Sequence, residues 1–141
     1  MDKRLIISVL AGIFSAGFVV MALIFLGLTI YPVDLSTIPT DLEGKALRDF
    51  MYEFALNLPI ENYMTEIFAN GIGLLAGLIV GRLIDSRTIV NLLAISGIMI
   101  LLNFVSAVSR PHPSWFVFVD LAFCVFVSGS FIYLVKKRKK A

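Results

Sequence analysis

The sequence predicts an all-α fold: an integral membrane four-helix bundle with an external amphipathic helix between helices one and two. Three observations carry that prediction. Four apolar stretches each approach or exceed the roughly 20 helical residues that a hydrocarbon core requires. Of 141 residues, 59% are hydrophobic and 16% charged, and a mean hydropathy of +0.94 lies outside ordinary soluble composition. Basic residues also gather at alternate ends of the stretches. Only one connection is long enough to hold structure of its own, so 1–141 reads as a single transmembrane domain without a soluble catalytic module.

Helix one is expected at about 5–31, behind Lys3 and Arg4. Its apolar run exceeds the roughly 7 to 15 residues of a cleaved signal and lacks a small-x-small cleavage site, which predicts a retained helix. Longer than the hydrocarbon needs, it should tilt or project outward, with Tyr31 and Pro32 at its outer end. In the connection that follows, Thr40 and Glu43 have capping-box spacing, and Leu47, Phe50, Met51, Phe54 and Leu58 recur at helical intervals until Pro59. An amphipathic helix at about 41–58 results. Its apolar stripe would be covered by the bundle and the lipid interface, or would serve as a lid or docking surface.

Helix two is expected at about 62–84, with Asn62 to Glu66 starting it outside the hydrocarbon and Arg82 extending its charge to the inner headgroups. A tight Asp85-Ser86-Arg87 turn leads into helix three at about 88–109, so the two form an antiparallel hairpin. The segment Arg110-Pro111-His112-Pro113-Ser114 cannot continue a helix. Helix four follows at about 115–135, with Trp115, Phe116 and Phe118 as an interfacial aromatic belt and Lys136 to Lys140 beyond it.

Charge asymmetry orients these spans. Placing both termini in the cytoplasm puts Lys3, Arg4, Arg82, Arg87, Lys136, Lys137, Arg138, Lys139 and Lys140 inside and leaves only Lys45, Arg48 and Arg110 outside. The external connection is then acidic. The tail reads as a topology anchor touching anionic lipid, and a short basic run on a membrane helix offers no groove for nucleic acid. Cys124, the lone cysteine, lies within helix four and allows no internal disulfide.

Small residues predict where helices meet. Gly73, Gly77 and Gly81 share a face of helix two, and Ser8, Gly12 and Ala16 have the same spacing on helix one. Such faces let backbones approach closely in lipid. The contact is expected in the inner half of the membrane, within the chain or between copies.

Polar residues inside the spans supply the functional candidates, because an ionisable group in hydrocarbon normally faces a partner or a cavity. Asp120, Asn103 and Asn70 fall at similar depth in the outer part of the bilayer, and Glu66, Arg110 and His112 would stand at the mouth of that cluster. The cluster reads as a helix-pairing device or as a small-molecule or proton site. A single histidine without a second histidine or a nearby cysteine makes no metal centre. No cofactor is implied.

Several of these landmarks carry a resemblance. Ile30-Tyr31-Pro32, the acidic segment ending Leu58-Pro59, the glycine-rich run ending Gly81-Arg82, and His112-Pro113-Ser114-Trp115-Phe116 resemble a group of small, uncharacterised four-helix bacterial membrane proteins. The resemblance implies a bacterial inner membrane location and transfers no catalytic residue. The preferred expectation is a structural or accessory subunit that packs with a membrane protein partner or with itself. A small homo-oligomeric transporter or channel built on Asp120 is the alternative, ahead of a membrane-embedded enzyme acting on lipid or quinone through Asp120, His112 and Glu66.

Overall fold

The computed structural model describes residues 3–85 and 89–138. Its α-helices are α1 (Lys3–Ile30), α2 (Gly44–Leu56), α3 (Ile60–Ile84), α4 (Val90–Ser109) and α5 (Ser114–Arg138). A short 3₁₀ turn, Leu35–Thr37, precedes α2. All but α2 are long and apolar enough to cross a membrane. Ser86 and Arg87 of the expected turn, Thr88 at the expected start of helix three, and Lys139 and Lys140 of the tail lie outside the described residues.

Prolines set most of the boundaries. The residue before a proline is driven out of the α region, so α1 stops at Ile30 ahead of Tyr31-Pro32, and α4 stops at Ser109 ahead of Arg110-Pro111. Pro59 separates α2 from α3 and is itself the N-cap of α3, which therefore begins two residues earlier than expected. At the close of α2, Asn57 donates from Nδ2 to the Glu53 carbonyl at 2.8 Å, satisfying one of the helix's terminal acceptors.

The expected capping box does not form. The N-cap of α2 is Glu43, which makes no side-chain capping bond, and Thr40 and Asp41 lie in a turn before it. Gly44 explains the shift: its φ of +58° belongs to the left-handed region that glycine tolerates, and the chain turns into the helix there. Helix α2 is thus shorter than the expected 41–58 and contains no buried residue.

Helix α3 is the hub. It packs against α1, α4 and α5, whereas α1 and α5 do not meet among the described residues. The long helices alternate in direction, so Lys3, Ile84, Val90 and Arg138 lie at one end, the terminal end, and Ile30, Ile60, Ser109 and Ser114 at the other, the α2 end. The most extensive contact is α1 against α3. A Cβ on Gly77 would stand 2.5 Å from the Gly12 carbonyl oxygen and 2.9 Å from Ala16 Cβ; one on Gly73 would stand 2.8 Å from the Ala16 carbonyl oxygen. Gly81 lies against Ile95 and near the Ser8 carbonyl. The glycine face of α3 is therefore occupied by the small-residue face of α1 within one chain, at the terminal end.

Around this seam Leu74, Leu78, Leu92, Ile95 and Cys124 form the main core. A second cluster toward the α2 end joins Tyr63, Ile67, Ala107 and Phe116. Phe116 departs from the expected aromatic belt: it is fully buried, while Phe118 is 75% exposed and Trp115 37%. The two helical positions point to opposite sides of α5. Buried Asn91 joins α3 to α4 by donating from Nδ2 to the Asp85 carbonyl at 2.9 Å and to the Gly81 carbonyl at 3.0 Å, the latter shared with the Asp85 amide that closes α3.

Candidate functional site

Two layers of polar side chains occupy the α2 end, and α3 contributes to both. Tyr63, Glu66 and Asn70 follow one another at spacings of three and four, so a single face of α3 presents all of them to α4 and α5.

In the deeper layer, Asp120 is fully buried. Its Oδ1 accepts from Asn70 Nδ2 at 2.9 Å. Its other oxygen, Oδ2, is buried without a hydrogen-bond partner. That is an unusual arrangement, since nearly all buried polar atoms are paired and an unpaired one carries a desolvation cost of about 1–3 kcal/mol. Asn103, expected in the same cluster, turns instead to Cys124 and donates from Nδ2 to its Sγ at 3.4 Å. Asp120 and Asn70 are brought together; Asn103 pairs one turn further along α5.

In the outer layer, Arg110 Nη2 lies 2.6 Å from Glu66 Oε1 and donates also to Ser106 Oγ at 2.6 Å. His112 Nε2 lies 3.3 Å from the other carboxylate oxygen of Glu66. The opposite ring nitrogen, Nδ1, faces the carbonyls of Ala107 at 3.0 Å and Arg110 at 3.2 Å. Both nitrogens thus face hydrogen-bond acceptors. The ring is held flat against Phe116, with centroids 4.2 Å apart and planes 9° apart, and Tyr63 meets it at an angle. Tyr63 in turn donates its hydroxyl to the Ala55 carbonyl, tying the end of α2 to the bundle. Asn62 ties α3 to the end of α1 by donating to the Tyr31 carbonyl at 3.1 Å.

These side chains border a cleft of about 270 Å³ between the end of α1 and the α4–α5 turn. Its lining combines apolar side chains, Ile24, Leu28 and Leu58 among them, with the polar Glu66, Arg110 and His112. Among the described residues no group of acids, histidines and cysteines has the arrangement of a metal centre.

Glu66, Arg110 and His112 therefore sit together, above the Asn70–Asp120 pair. Sequence reasoning passed over Tyr63, Ser106 and Asn91. Two of these had a legible signal: Tyr63 precedes Glu66 by three and Ser106 precedes Arg110 by four, the spacings that share a helix face. Gly73, Gly77, Gly81, Ser8, Gly12 and Ala16 lie away from this site, in the α1–α3 seam. No protein-family model, curated protein or solved structure matches the chain.

Proposed function

We propose that this is a multi-pass protein of the bacterial inner membrane, with both termini cytoplasmic and α2 external, acting as a structural or accessory subunit of a membrane assembly. The observation that carries the accessory role is a seam on α1. Phe14, Phe18, Met21 and Phe25 are 75%, 75%, 68% and 76% exposed and follow one another at spacings of four, three and four. That is the interval at which one helix packs along another. The small-residue face of α1 is already occupied by α3, so this aromatic seam is what α1 offers to a membrane protein partner or a second copy. Native mass spectrometry of the protein released from its own membranes in mild detergent tests the role. A complex of fixed stoichiometry, weakened by Phe18→Ala, is expected; a bare monomer overturns it.

The unpartnered Asp120 oxygen favours a second reading, an outward-facing binding or transport site. A homo-oligomer carrying a small molecule that is lost in Asp120→Asn would support that reading, and retention of the molecule would remove Asp120 from it. The mouth residues Glu66 and His112 do not form a nucleophile and base with Asp120, and the geometry adds nothing to the lipid- or quinone-modifying enzyme.

A further inference from the structure

We infer that the cleft at the α2 end is a binding site for the head of an anionic phospholipid, one per chain; the inference rests on the membrane placement proposed above. Charge and accessibility select the sign of the ligand. Both Glu66 carboxylate oxygens are engaged, one by Arg110 and the other by His112, and the side chain is only 16% exposed. A cation entering the cleft would find both oxygens of that acid already engaged and largely covered. Arg110 is different: its side chain is 53% exposed. Nη2 is occupied by Glu66 and Ser106, while a guanidinium carries five N–H donors. The accessible charge in the cleft is therefore a cation with donors to spare, the group best suited to a phosphate.

The shape and position select an amphiphile. Ile24, Leu28 and Leu58 line the cleft together with Glu66, Arg110 and His112, so a ligand filling it meets both apolar side chains and the guanidinium. The cleft lies where α1 ends and α4 turns into α5. In the proposed placement this is headgroup level, from which an acyl chain descends beside the apolar length of α1. His112 is a positioning residue here. Its side chain is 6% exposed, clamped on Phe116, and it fixes the carboxylate that orients Arg110.

The test uses the full chain in nanodiscs containing phosphatidylglycerol and phosphatidylcholine in equal amounts, followed by native mass spectrometry of retained lipid. Wild type should keep one phosphatidylglycerol in preference to phosphatidylcholine, and inorganic phosphate should not displace it. Arg110→Gln should lower retention roughly tenfold or more, as expected for loss of a charge-assisted contact. Because that change also strips Glu66 of a partner, Ile24→Trp provides a second variant, filling the cleft from an apolar lining position with every charge in place; it should lower retention similarly. Equal retention of the two lipids, or undiminished retention in both variants, overturns the inference and leaves the membrane placement standing. Displacement by inorganic phosphate would make this a free-anion site and overturn the lipid assignment. Failure of the protein to enter nanodiscs would remove the membrane placement and this inference with it.

Discussion

Gly77 and Gly97 are chemically the same residue and should respond to substitution in opposite ways. A Cβ on Gly77 would fall 2.5 Å from the Gly12 carbonyl oxygen, whereas one on Gly97 would meet nothing within 4 Å. Gly77→Ala should cost about 1–3 kcal/mol through overpacking, and Gly97→Ala should stabilise by about 0.4–1 kcal/mol by restricting the unfolded chain. Reversible unfolding in mixed micelles measures both. The polar candidates are more mixed in how far they could be read ahead. Depth along a helix follows from a rise of about 1.5 Å per residue, and it places Asn70, Asn103 and Asp120 at one level. Rotation about the helix axis depends on how neighbours pack. It turns Asn70 to Asp120 and Asn103 to Cys124.

Among the elements, α2 stands apart. It has no buried residue, and the Tyr63 hydroxyl on the Ala55 carbonyl is a specific tether to the bundle. Its amides should exchange faster than those of the α3 core, because low burial marks the low-stability units of a fold. Tyr63→Phe should accelerate exchange of the last turn of α2 roughly fivefold, the equivalent of one hydrogen bond worth about 1 kcal/mol; hydrogen exchange resolved by residue checks it. The start of α2 shows why its boundary was harder to read than its existence. The apolar stripe of Leu47, Phe50 and Phe54 repeats over several turns, while a cap is a single local geometry, and Gly44 placed the turn beyond Thr40. Before α2, Asp34 holds the 3₁₀ turn by accepting from the Ser36 hydroxyl at 2.6 Å and the Ser36 amide at 2.9 Å. Those bonds keep its carboxyl below the usual carboxylate range. Because the folded value is depressed, this local contribution is present above the ordinary carboxylate range and lost as pH falls through the folded value.

For the whole molecule, the arrangement of helix ends makes a topology prediction. Lys3 and Arg138 share one end, and the Asp34 turn and α2 belong to the other. With both termini cytoplasmic, a cysteine at Ser36 should react with an impermeant maleimide in intact cells, and one at Lys137 should react only after the membrane is opened. Native Cys124 is buried and should stay silent. The reverse labelling pattern would invert the proposed orientation and place the lipid cleft on the cytoplasmic side.

Sequence alone determined the number of long apolar helices, their approximate limits and the presence of a shorter amphipathic one. These follow from local rules: apolar length, the 3.6-residue repeat, and prolines that exclude the α conformation before them. It also marked the small-residue faces and the polar positions that need explanation. Tertiary structure decided what each of those faces meets. It put the α3 glycines against α1 rather than a second chain, buried Phe116 beneath His112, gave both Glu66 oxygens partners, and left one Asp120 oxygen without any. Such pairings depend on the rotation and crossing of helices far apart in the chain, which are fixed by the packing of all their neighbours together.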